Sequence, residues 1–151
     1  MDQFFGSIYC WFEDMFGLDL ANYLWGQASP IMTNNLFISF GLAMFIISAF
    51  AMVIFYYVHN PVRQCLIWWL TYGGFVALIH FLWGWQMTLK DYYDGLMVTI
   101  DPQTHQQVPL NIYPGDCALF GVANMILGLA LFILFSFLFR WWSKNNSHTP
   151  F

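Results

Sequence analysis

Three long apolar runs set the pattern of the chain: Leu36 to Val58, Cys65 to Met87 and Ala118 to Leu138. Each holds about 20 residues or more, enough to cross roughly 30 Å of hydrocarbon as a helix. Ser29-Pro30 is a sound helix start, so the first span is expected over 30–58. HNPVRQ follows as an inner turn at 59–63, where Asn60 can cap and Pro61 can open the second helix. The second and third spans are expected over 64–88 and 117–140, with an inner tail at 141–151. The fold class read from this pattern is an all-α membrane protein with three transmembrane helices.

Two shorter patterns flank the spans. In residues 2–16, Phe4, Phe5, Ile8, Trp11, Phe12, Met15 and Phe16 recur at three- and four-residue spacing, with Asp2, Gln3, Ser7, Glu13 and Asp14 between them. An amphipathic interfacial helix is expected there, within an outer-face segment spanning 1–29. It carries no Lys or Arg to hold anionic lipid, so rings in the lipid and packing on a neighbouring protein are both open readings. In the outer loop, 89–116, LMVTI and VPLNIY flank the turn-forming DPQTHQQ, which fits a small β-hairpin. Pro109 would make its second strand an edge. An isolated hairpin is marginal in water, so it should lean on the N-terminal helix or on another copy.

Composition agrees: 60% of the 151 residues are hydrophobic and 8% charged, against about 25% charged in ordinary soluble domains. The acidic start MDQFFGSIYCWFEDMF has no basic n-region or small-residue cleavage site, so no cleavable signal peptide is expected. Charge then orients the spans. Arg63, Arg140 and Lys144 fall on one side of the membrane, and Lys90 falls on the other with every acid. The positive-inside rule puts the N-terminus outside and the C-terminus inside, in a plasma or inner cell membrane. Trp and Tyr belts near both ends of the spans match these limits.

A polar residue within such runs raises the question of chemistry. On the second span Gly73, Ala77, His80 and Gly84 share one face. On the third, Gly121, Asn124 and Gly128 do. Small residues let helices approach closely in lipid, and polar groups among them can bond across the contact. Counted from the expected outer ends, His80 and Asn124 lie roughly 10 Å deep, and Ser39 enters the first span at a similar depth. Ser39, His80 and Asn124 are therefore read as one intramembrane polar layer. An ionisable group in a span is a functional-site candidate by default. The favoured reading is structural, with a neutral His80 bonded to Asn124, and the alternative is a proton-linked or pore-lining role.

Other constellations carry less. Cys10 and Cys117 both fall outside and form a candidate disulfide; two free thiols are the blander reading. His59, His105 and His148 do not share the depth of His80, so neither haem nor zinc is expected and no cofactor or metal is assigned. Asp91 and Asp94 beside Tyr92 and Tyr93 could bind a cation, and a solvated helix end is the favoured reading. Asn145-Asn146-Ser147 lies on the inner side and is not expected to be glycosylated. No nucleophile elbow, phosphate loop or dinucleotide fingerprint appears, so no catalytic residue is assigned. A net charge of -4 without a basic patch argues against nucleic acid. The function expected is a non-enzymatic membrane subunit that self-associates or anchors a larger assembly, as a scaffold or as a ring or channel former. Its partners would be the bilayer, further copies or other membrane subunits. The alternative is a carrier or enzyme subunit with a polar cleft at His80 and Asn124, acting on a lipid or a proton.

Overall fold

A computed structural model describes residues 2–31, 33–59 and 65–141. Three helices carry the apolar runs: α4 (Leu36–Val53, continued by a π-helical segment Ile54–His59), α5 (Cys65–Tyr93) and α6 (Pro114–Arg140). All three are long and apolar enough to cross a membrane. Before them lie α1 (Asp2–Tyr9), a 3-10 turn (Cys10–Phe12), α2 (Glu13–Phe16) and α3 (Leu18–Leu24). Two short strands, β1 (Val98–Ile100) and β2 (Gln107–Pro109), join α5 to α6. The expected turn cap at Asn60-Pro61, together with Arg63, Lys144 and the inner tail beyond Trp141, lies outside the described residues.

The span limits differ from those expected, for local reasons. The first helix starts at Leu36, not at Pro30. The Ser29 hydroxyl accepts from the Ile31 amide and donates to the Leu96 carbonyl, so Ser29-Pro30 belongs to a turn. The helix start falls instead to Asn35, whose Oδ1 accepts from the Phe37 amide at 3.0 Å. The second helix runs on to Tyr93, and the third starts at Pro114, because polar residues at a helix end need not break it.

The hairpin forms where expected. β1 and β2 are antiparallel, with Val98 opposite Pro109 and Ile100 opposite Gln107. Asp101 organises the turn, its carboxylate accepting from the Gln103 amide at 2.9 Å and the Thr104 hydroxyl at 2.8 Å. These bonds hold the carboxyl below the usual aspartate range. His105 closes the loop in a left-handed conformation at φ 54.

Two compact units divide the chain. The first combines residues 1–41 and 81–123, around a core of stacked and edge-on rings. Phe120 is its hub, 5.0 to 5.5 Å between centroids from Tyr9, Phe16 and Phe40. Tyr9 also stacks on Phe37 at 4.7 Å. The N-terminal helices thus bury Tyr9, Phe16, Leu20 and Leu24 against their own chain, which neither open reading of that segment included. The second unit combines residues 42–80 and 124–151. Its core is Met52, Phe55, Tyr56, Val76, Phe132 and Phe135. Apolar burial of this kind favours each unit wherever water or a looser neighbour would otherwise touch these side chains.

Candidate functional site

His80 sits in the second unit, with its imidazole fully buried. Gly128 makes room for it: a β-carbon on Gly128 would overlap the imidazole ring. The Nε2 of His80 lies 3.2 Å from the Ser48 hydroxyl, and that hydroxyl reaches the Gly128 carbonyl at 3.4 Å. A serine has one proton to donate. Directed at the Gly128 carbonyl, it leaves the oxygen free to accept from an Nε2–H of His80. One hydrogen-bonded chain then ties α4, α5 and α6 together.

This changes the polar layer. Ser39 is exposed and does not belong to it, because the buried face of α4 runs through Phe37, Phe40, Met44, Ser48 and Met52. Ser48 takes its place. Measured from the helix ends at Leu36, Tyr93 and Pro114, Ser48, His80 and Gly128 each lie roughly 20 Å along their helices. The layer is therefore at mid-span, and not near an outer end. Asn124 is buried one turn from Gly128 and is itself engaged.

A second polar cluster, absent from the sequence reading, lies nearer the far end of the same unit. The Trp69 indole N–H donates to Ser136 Oγ at 2.9 Å. The Tyr56 hydroxyl lies 3.1 Å from that oxygen and donates to the Ser136 carbonyl at 3.2 Å. Here too one serine on α6 gathers groups from α4 and α5. The signal in the sequence is Ser136 standing alone in an apolar run, while the positions of Tyr56 and Trp69 near a span end suit an interface belt. Their polar tips turn inward instead.

No protein-family model, curated protein or solved structure matches the chain.

Of the small residues singled out, Gly73, Gly84, Gly121 and Gly128 are buried and Ala77 is half-buried. Gly73 faces the Phe132 ring, and a β-carbon on Gly121 would approach the Phe81 carbonyl to 2.9 Å. Close helix contact is what such residues permit in lipid.

In the first unit, Tyr23 is buried and donates to the Asp91 carboxylate at 3.1 Å. Burial first, then the neighbouring carboxylate, pushes the Tyr23 hydroxyl well above the usual tyrosine range. Asp91 thus has a protein partner and is not simply a solvated end. Cys10 and Cys117 are both free thiols here, so the candidate disulfide is not formed. Glu13 and Trp25 lie beside Cys10, and Thr88 lies beside Cys117. Burial and the Glu13 carboxylate raise the Cys10 thiol above its ordinary value, which disfavours the reactive thiolate. Among the described residues no three His, Cys, Asp or Glu side chains gather as a metal site.

Proposed function

We propose that this chain is a non-enzymatic, multi-pass membrane subunit that assembles with further copies of itself or anchors a larger membrane complex. The observation that carries this reading is the use of polarity in the long helices. Among the described residues every buried side-chain nitrogen and oxygen has a hydrogen-bond partner. Ser48, His80, Tyr56, Trp69 and Ser136 bond within the chain and fix how its helices meet. What faces outward is mainly apolar, though Ser39 on α4 and Gln86 and Lys90 on α5 are exposed. Only 17% of the apolar stretch of α5 is buried, against 39% for α4 and 33% for α6. One exposed row on α5 runs Ile67, Leu70, Gly74, Leu78, and none of the described residues lies within 4 Å of a β-carbon built on Gly74. Lipid tails suit the aliphatic side chains, but a bare glycine among them leaves a notch that another helix can fill.

In this reading the chain lies in a plasma or inner cell membrane with its N-terminus outside, which the placement of Arg63, Arg140 and Lys144 supports. A scaffold fits better than a narrow channel, since water-filled pores need polar lining. The Ser48–His80 contact favours one second reading, a carrier or enzyme subunit in which that pair handles a proton or a lipid. Native mass spectrometry of gently released protein separates the two. A defined oligomer supports assembly, and a monomer retaining a lipid or small molecule supports the carrier.

A further inference from the structure

Tyr56 and His59 pin the end of the first long helix to two different neighbours. The Tyr56 hydroxyl bonds to Ser136 on α6. Farther on, the His59 ring meets α5, perpendicular to Trp68 at 4.5 Å between centroids and stacked with Tyr72 at 5.8 Å. Phe55 shares Tyr72 at 5.5 Å, so Phe55 and His59 face the same helix. Between the fixed points Tyr57 and Val58 are exposed, 48% and 74%. The backbone that joins them, Ile54–His59, is π-helical.

Nothing in the local sequence asks for that form. IFYYVH holds no Pro or Gly, and the 18 residues before it are regular α-helix. A π-helix bonds residues five apart in place of four, so a turn of it takes up one residue more than an α turn. Each residue of an α-helix turns the chain by roughly 100°. In α form, Val58 and not His59 would come nearest to the Trp68–Tyr72 pair. Either form keeps the backbone hydrogen-bonded, as hydrocarbon demands. The choice between them therefore falls to side-chain contacts, and those made by His59 depend on the extra residue. His59 is exposed, so its seat can be reached from outside the chain.

We propose that Ile54–His59 is a two-position register switch. It stores one extra residue while His59 is seated on Trp68 and Tyr72. When that seat is lost it relaxes to α-helix, turning His59 away from α5 and Val58 toward it. The end of the helix rotates by up to roughly 100° while Tyr56 stays on Ser136. Such one-turn π segments inside α-helices occur chiefly at functional sites, and a register shift is a recognised way for a packed helix to hold two states.

The test uses the full chain in phosphatidylcholine nanodiscs. NMR couplings across backbone hydrogen bonds report the separation of donor and acceptor directly. The parent should show bonds five residues apart over Ile54–His59, and His59→Ala should show bonds four apart. Trp68→Leu repeats the measurement if the His59 variant does not fold. Deleting Val58 removes the stored residue. That variant should also bond four apart, keep the His59–Trp68 ring contact as a nuclear Overhauser effect, and melt cooperatively within a few degrees of the parent. Deleting Ile46, equally outward-facing but within the regular α-helix, should abolish cooperative melting, because it turns Ser48, Met52 and Tyr56 off their partners. Bonds five apart that persist in His59→Ala overturn the switch, and so do bonds four apart in the parent. A Val58 deletion that melts no better than the Ile46 deletion, or that loses the His59–Trp68 contact, overturns the stored residue.

Discussion

Ser48 gives its one hydroxyl proton to the Gly128 carbonyl and accepts from His80 Nε2–H, and this small fact sets the energetics of the buried His80 site. Hydrogen bonds between helices in membranes contribute about 0.6 kcal/mol on average. Ser48→Ala should therefore lower stability by roughly that amount, and up to about 1.7 kcal/mol, in a detergent unfolding titration. Gly128→Ala should do more, about 1–3 kcal/mol, because its methyl would overlap the imidazole and force the helices apart. If Gly128→Ala were as stable as the parent, the close seating of His80 would be wrong. Tyr23 gives a prediction of different sign. Its fold-state hydroxyl is shifted up, so the protonated form is the one the fold favours. The contribution of the Tyr23–Asp91 bond should be complete below about pH 10, the ordinary tyrosine value, and should fade as pH rises through the raised one. The melting-temperature difference between the parent and Tyr23→Phe checks this: it should be flat from neutral pH to about 9 and shrink only above about 10. At this scale the sequence was partly legible. His80 stood out because an imidazole in an apolar run is costly. Ser48 does not, because a span start at Ser29-Pro30 is six residues too early and brings Ser39 level with a layer placed too shallow.

Elements were easier to read than their ends. Apolar runs of membrane length announce α4, α5 and α6, since a backbone in hydrocarbon has few alternatives to a helix. Their ends are set by single side chains, Asn35 at one and Asp116 at another. The Asp116 carboxylate accepts from the Tyr113 amide at 2.8 Å and starts α6 earlier than its apolar run suggests. The N-terminal helix was legible as amphipathic but not as divided. Its periodicity looks continuous, while a 3-10 turn at Cys10–Phe12 and Gly17 at φ 90 break it into pieces that follow the aromatic core. The hairpin was legible from its turn composition, and its loop makes a prediction. His105 holds a left-handed conformation that costs a residue with a β-carbon about 1 kcal/mol. His105→Gly should slow amide hydrogen exchange at the paired Thr99 and Val108, and His105→Val should speed it. Equal exchange in all three proteins would mean that the turn conformation does not limit strand pairing.

For the whole molecule, composition alone points to the membrane, and the three long helices agree. Function is harder to read at this scale because Ser48, His80, Tyr56, Trp69 and Ser136 bond between helices of one chain. The remaining signal is what the helices leave uncovered, chiefly the Ile67–Leu70–Gly74–Leu78 row of α5. The most direct measurement is native mass spectrometry of the intact chain released gently from the membrane, beside the Gly74→Leu variant. Assembly through α5 predicts a defined oligomer for the parent and its loss, or a smaller species, when a leucine fills the notch. A parent protein that flies as a monomer at every detergent strength, indistinguishable from Gly74→Leu, would contradict it.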